Sequence, residues 1–176
     1  MAVAKRKKRF WDVDMPVLGK QTHLYGFDLK DLNNRIIIYD LTRILRGKNS
    51  LIQLRVHTDE EKATSTPIKL TLLPSYLKRS VRKGTDYVED SFKVPCKETE
   101  LTIKLLLVTR RRVSRAVRKA LREKAKDEIT NYVKEKKVEE VFDDLLKNQF
   151  QKTLSLKLKK IYPLSLCEVK TLKVKE

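Results

Sequence analysis

The sequence predicts an α+β fold on three observations. Strand-like segments occupy the chain as far as Thr109, helical periodicity replaces them from Arg110, and a last extended segment runs from Leu166 to Val174. Strands, then helices, then a terminal strand is the order of a fold whose helices segregate to one side of a sheet. Hydrophobic residues make up 40% of the 176. That is enough for a packed core and excludes a chain disordered throughout. The length predicts one domain, residues 10–176, after a basic arm, residues 1–9.

The arm ends in Lys5-Arg6-Lys7-Lys8-Arg9, a run of like charge expected to stay flexible until a partner orders it. Phe10-Trp11-Asp12-Val13-Asp14-Met15-Pro16 sets the only tryptophan near a proline and reads as an anchored extended segment. Arg35 to Leu41 is β-branched and aromatic, and Leu51 to His57 alternates Leu, Leu and Val with other residues, so both are strands. Gly47-Lys48-Asn49-Ser50 between them is a turn. Thr58 to Pro67 is polar and charged, a loop, and Ile68 to Leu73 is a short strand. Pro74-Ser75 opens a helix through Lys83 that Gly84 ends. Tyr87 to Val94 and Thr99 to Thr109 are two more strands, joined by Pro95-Cys96-Lys97-Glu98. Within the second, Leu101 to Val108 begins as an alternation and ends as an apolar run, which marks a central strand.

Three helical stripes follow. Val113, Val117, Ala120, Leu121, Ala125, Ile129 and Val133 share one face. Val138, Val141, Phe142, Leu145 and Leu146 form the second stripe. Leu154, Leu158 and Ile161 form a weaker third, which Pro163 stops. The terminal strand is edged by Lys170, Lys173 and Lys175. No internal repeat occurs.

Charge decides the class of partner. Lys and Arg number 41 against 23 Asp and Glu, a formal net charge of +18, where about 2–8 keeps a small domain dispersed. Nucleic acid, an anionic membrane surface and an acidic protein are the candidate partners. The strongest local signal starts at Arg110. Arg110-Arg111-Arg112 is followed by Arg115, Arg118, Lys119, Arg122, Lys124 and Lys126, with Glu123 the single acid among them. On a helix Arg111, Arg115, Arg118 and Arg122 share a face, read as opposing the Val113/Val117/Leu121 stripe. Guanidinium forks bond phosphate oxygens in pairs and stack on bases. A merely solvated face would carry balancing acids, so phosphate contact is the better reading. The next stripe is backed by Glu139, Glu140, Asp143 and Asp144, an acidic face expected to turn away from RNA. A second basic patch, Lys78-Arg79 with Arg82-Lys83, lies on the predicted helix after Pro74, where favourable interaction with the helix C-terminus explains it nearly as well. Trp11 suits base stacking, although a lone tryptophan is more often a core anchor.

Other chemistries fail. Cys96 and Cys167 are isolated, without the clustered pairs of a zinc site, and read as free thiols in a reducing compartment. No run approaches the ~20 apolar residues of a membrane span. Met1-Ala2-Val3-Ala4 leads straight into the basic arm without the apolar core of a signal peptide, so an intracellular protein is expected. Gly19-Lys20-Gln21-Thr22 lacks the first glycine and the Lys-Ser/Thr pair of a phosphate loop. His23 and His57 have no nucleophile or carboxylate grouping near them in sequence. No enzyme, metal or cofactor is expected.

Several stretches resemble the archaeal and eukaryotic small-subunit ribosomal protein S1e family. Arg9-Phe10-Trp11-Asp12-Val13-Asp14-Met15-Pro16 resembles that family's aromatic entry, and Arg35 to Leu41 is similar to its first long strand. Leu101 to Arg111 is similar to its central apolar strand running into a basic helix. Lys160-Ile161-Tyr162-Pro163-Leu164 and Val169-Lys170-Thr171-Leu172-Lys173 match its Ile-Tyr-Pro and terminal strand. The matches keep family order across nearly the whole chain. The family's central Gly-Met segment appears here as Pro67-Ile68-Lys69-Leu70, and the long C-terminal extension of eukaryotic members is missing, as in a shortened member.

The resemblance implies an antiparallel, barrel-like sheet with packed C-terminal helices. It further implies a structural place on the small-subunit platform near the messenger exit, in contact with ribosomal RNA, neighbouring platform proteins and messenger RNA, with no membrane and no homo-oligomer. The expected location is the cytoplasmic ribosome, with nucleolar assembly in a eukaryote. A free regulatory protein that binds nucleic acid or a membrane surface, lying on it through the 113–133 stripe, is the alternative.

Overall fold

The computed structural model describes residues 7–45, 47–59 and 62–175. They fall into two compact units. One comprises Met1–Tyr39 and Gln53–Ile68, the other Asp40–Ile52 and Lys69–Glu176.

The first unit is built on β1 (Arg9–Met15) and β2 (Lys20–Gly26), antiparallel from Arg9↔Gly26 to Met15↔Lys20. A 3-10 turn, Pro16–Leu18, joins them and ends at Gly19, whose φ of +60° is the left-handed value that glycine adopts without strain. β3 (Ile36–Asp40) pairs with β4 (Ser50–Thr58), and β4 pairs with β5 (Ala63–Leu72). Alternation turns Val13, Val56 and Ala63 inward to a core with Leu32, against which Trp11, Leu24 and Ile37 pack. Trp11 is therefore an anchor here: its ring packs on this core and its Nε1 donates to the Gly26 carbonyl at 3.3 Å.

The second unit is a sheet under helices. The end of β5, Lys69 to Thr71, pairs antiparallel with β8 (Leu164–Val174). β8 pairs with β7 (Glu100–Thr109), and β7 with β6 (Tyr87–Pro95), both antiparallel. β7 is central, as its composition predicts. Leu105 to Thr109 are all buried in succession, so both faces are covered there. Among the described residues four helices belong to this unit: α1 (Pro74–Ser80), α2 (Arg115–Lys134), α3 (Val138–Leu146) and α4 (Gln149–Leu158). α2 packs on β6 and α4, while α4 packs on β8 and α3.

The α+β order with a terminal strand is as the sequence predicts, and four details differ. The hydrogen-bonded order β2-β1-β5-β8-β7-β6, with β3 and β4 off that path, is open and does not close into a barrel. One pairing, β1 with β5 at Val13↔Ala63 and Asp14↔Thr64, is parallel. β5 starts at Ala63, inside the segment read as a loop. Its polar residues are small or β-branched, and Ala63, Ser65 and Pro67 alternate inward. Pro67, which has no N–H to give, falls between the register with β1, ending at Thr64, and that with β8, starting at Lys69. Finally, α1 stops at Ser80 rather than Lys83. Ser80 Oγ donates back to the Tyr76 carbonyl at 2.9 Å, and Val81 is extended at φ −94°, ψ 118°. β2 and the 3-10 turn Leu29–Leu32 were not anticipated.

Candidate nucleic-acid interface

β7 delivers the chain to the arginine cluster through a bracketed turn. Thr109 is fully buried, and its Oγ1 lies 2.9 Å from the Asp86 carbonyl and 2.7 Å from that of Arg111. Its backbone N–H also donates to the Asp86 carbonyl, at 2.8 Å. The Asp86 carboxylate accepts the Val113 N–H at 2.9 Å. Ser114 then caps α2, its hydroxyl accepting the Val117 N–H at 3.4 Å. A serine at this position satisfies an N–H that the first helical turn leaves unpaired. The helix therefore begins at Arg115, not at Arg110. Arg110, Arg111 and Arg112 stand on the turn that Asp86 and Thr109 hold, all three exposed.

The arginine face of α2 borders the apolar stripe instead of opposing it. Buried Leu121, Ala125, Ile129 and Val133 step by four residues, so each advances about 40° around the axis. The arc they sweep, about 120° wide, takes in Arg118, with Arg122 and Arg115 together towards its Val133 edge. Arg118 is accordingly half-buried, and its Nε has no hydrogen-bond partner among the described residues. Arg115, Arg118, Lys119 and Arg122 line one cleft of about 260 Å³ with Tyr87 and Val88 of β6. Arg111 is off this helical face.

The charges here are mostly unbalanced. Asp90 Oδ2 on β6 lies 3.9 Å from Arg122 Nε, and Glu123 Oε1 lies 3.8 Å from Lys119 Nζ. Among the described residues no ion pair engages Arg110, Arg111, Arg112 or Arg115. Farther along α2, Glu128 is held below the usual carboxylate range by hydrogen bonds from Lys157 and Lys124, with Lys157 reaching over from α4 at 2.5 Å. The arginine-rich end thus keeps its positive charge, while the far end of the helix is neutralised.

The other predicted residues sit elsewhere. Lys78 and Arg79 are exposed on α1, where Arg79 donates to Asn49 Oδ1 at 3.2 Å. Arg82 and Lys83 follow the helix on an exposed turn, and Arg79 and Arg82 line a second cleft with Tyr76 and Ser165. Lys7, Lys8 and Arg9 are exposed in the first unit, Arg9 as the first residue of β1. Lys5 and Arg6 lie outside the described residues. Three acids of α3 are engaged: Glu140 accepts the Lys137 N–H in a capping box, Asp143 pairs with Lys147, and Asp144 bonds both Lys136 and Tyr132. Sequence reasoning missed Asp86, Thr109 and Ser114, which shape the turn, and Tyr87, which borders the cleft. The Ser114 cap before a helical stripe was the one signal that could have found the true helix start.

Among the described residues no group of three His, Cys, Asp or Glu could hold a metal. His23 Nδ1 pairs with Asp12, and His57 Nε2 with Thr66 Oγ1 at 2.9 Å. Burial pushes the Cys167 thiol up to about 12, and Cys96 donates to the Lys136 carbonyl. Among the described residues no helix is long and apolar enough to cross a membrane. The stripe of α2 is spent on the core, so that helix has no apolar face free for a lipid surface.

Comparison with known proteins gives a consistent answer. A model of the Ribosomal S3Ae family matches residues 6–176. The chain is 26% identical over 141 residues to the small ribosomal subunit protein eS1 of Pyrobaculum neutrophilum. It is 27% identical over the same length to that of Pyrobaculum islandicum. Each match covers 79% of this chain and 64% of the relative, so the chain spans less than two thirds of these proteins.

Proposed function

Because the chain belongs to the Ribosomal S3Ae family, we propose that it is a structural constituent of the small ribosomal subunit, binding ribosomal RNA on the platform near the messenger exit. The observation that carries the binding chemistry is the uncompensated guanidinium array, Arg110, Arg111, Arg112 and Arg115, on a turn fixed by Asp86 and Thr109. The backbone of the turn is already held, so the ordering cost of meeting a phosphate backbone falls on the arginine side chains and not on the main chain. Each phosphate it neutralises releases counterions, which makes binding tight and salt-dependent. Lys119 and Arg122 extend the array along α2. Lys78, Arg79, Arg82 and Lys83 on and after α1, and Lys5 to Arg9 at the N-terminus, are further contacts in this reading. Phosphate contacts position a protein on folded RNA, and the relief of the scaffold sets which RNA surface it fits. Neighbouring platform proteins and messenger RNA complete the set of partners, and the protein acts in the cytoplasm on the ribosome without catalysing a reaction.

Sedimentation tests this. In a low-salt gradient of cell extract the full-length protein should travel with small subunits and leave them only at high salt. Protein that stays at the top of the low-salt gradient would overturn the proposal.

A further inference from the structure

The outward face of the β1–β2 hairpin carries an exposed aromatic cluster beside Lys8. Alternation turns Trp11, Val13 and Met15 inward and leaves Phe10 and Asp12 outward. Phe10 and Tyr25 are direct cross-strand partners, with ring centroids 5.0 Å apart and planes tilted by 45°. Phe10 is 73% exposed, Tyr25 52% and Phe27 40%. Lys8 Nζ stands 5.6 Å from the centre of the Tyr25 ring and 5.2 Å from that of Phe27. The Arg35 guanidinium donates to the Tyr25 carbonyl at 3.1 Å. Exposed apolar rings clustered within a polar rim mark an interaction site.

We propose that this patch is a stacking platform for unpaired nucleobases of RNA, a contact that rests on the RNA-binding reading above and adds base recognition to phosphate contact. A nucleotide brings what the patch offers to meet: a flat ring for Phe10 and Tyr25, and a phosphate for Lys8 and Arg35. Single-stranded binders combine the same two elements, a cationic track and aromatic side chains on which successive bases stack. Charge favours RNA over a protein occupant. The acids on and next to this face are engaged: Asp12 bonds His23, Asp31 accepts the Asp28 N–H to cap its own turn, and Asp28 has a partner of its own. An apolar protein surface would bury the Lys8 ammonium between two rings without supplying a counter-charge.

Fluorescence anisotropy on the full-length protein tests the idea with two labelled probes. One is an unpaired mixed-sequence RNA of about ten nucleotides. The other is an abasic strand of the same length, which keeps the phosphates and lacks the rings. The protein should prefer the RNA, and Phe10→Leu with Tyr25→Leu should weaken RNA binding roughly ten- to a hundredfold, to the level of the abasic strand. Leucine preserves the cross-strand apolar contact, and an unchanged thermal midpoint would show that the fold is intact. Phe10→Trp, which keeps a flat ring, should retain the preference.

Equal affinity for the two probes would overturn the platform in favour of a protein occupant. So would a leucine variant that binds RNA as the parent does. Failure to bind either probe or duplex ribosomal RNA would instead overturn the RNA-binding reading itself.

Discussion

Lys48 shows how a single position can hold chemistry that its neighbours in sequence do not reveal. It lies in a turn-like Gly-Lys-Asn-Ser segment, yet its Nζ sits 2.5 Å from Glu168 Oε1 on β8, with side chains only 18% and 8% exposed, and it also bonds Asn148. Removing one partner strands the other charge in a low-dielectric place. Lys48→Met should therefore cost about 3–5 kcal/mol in chemical denaturation, while adding Glu168→Leu should recover much of it. Gly26 is set by close approach: a Cβ there would meet Leu32 Cδ2 at 3.0 Å. Cys167 makes a second test. Its thiol, 8% exposed, is pushed up to about 12 by burial and by the nearby Glu168 carboxylate. In the folded protein at pH 8 it should resist a thiol reagent that labels it at once in denaturant, because the thiolate is the reactive form. A folded value above the unfolded value of 9.0 means that this group's contribution to stability is complete below about 9. It disappears as pH rises towards about 12. Rapid native labelling would contradict the burial.

At the scale of elements, α2 and the turn before it act as one device. Asp86 ties the arginine turn to the start of β6 by accepting the Val113 N–H. Asp86→Ala should release that turn at a cost of about 1.5–3 kcal/mol, the worth of a hydrogen bond to a charged group. Hydrogen exchange at Val113 should rise by more than tenfold while exchange within α2 changes little; unaltered exchange at Val113 would show that Thr109 holds the turn alone. Glu128 links α2 to α4 through Lys157. Its carboxylate is held below the ordinary value of 4.5 by the Lys157 and Lys124 hydrogen bonds. Its contribution is therefore present above about 4.5 and fades as pH falls through its lower folded value. Alongside this partly buried ion pair, the α2–α4 link rests on the packing of buried residues such as Ile129 and Leu158.

For the whole molecule, charge and packing divide the work. A net charge of +18 spread evenly would give only diffuse attraction to RNA. Concentration on one held turn and one helix end gives it a position. Replacing Arg111, Arg115 and Arg118 together by Ala should weaken association with small subunits. It should also lower the slope of log affinity against log salt by roughly 0.7–0.9 for each phosphate that is no longer neutralised. Arg118 is half-buried against β6, so thermal unfolding of the variant must accompany the measurement. Unchanged incorporation and an unchanged slope in a folded variant would show that this face does not dock.

What short-range physics decides can be read from the order of the residues. The β-branched run Ile36–Asp40, the apolar run of β7 and the stripes of α2 and α3 were legible because burial imposes a period on the residues themselves. The charge class and the ordered matches ending in Lys160-Ile161-Tyr162-Pro163-Leu164 were legible for the same reason, being properties of residues and their order. Which distant segments meet is settled only in the folded chain. Folding made β5 a strand from Ala63, because the small and β-branched residues there fill a sheet position between partners far away in sequence. It turned Arg118 partly inward beside Val88 and Tyr87, and it brought Asp90 to Arg122 and Glu168 to Lys48. It also left the Phe10–Tyr25 pair facing outward. Periodicity says that a residue has an inside and an outside, but what waits on either side is set by long-range pairing that local pattern does not encode.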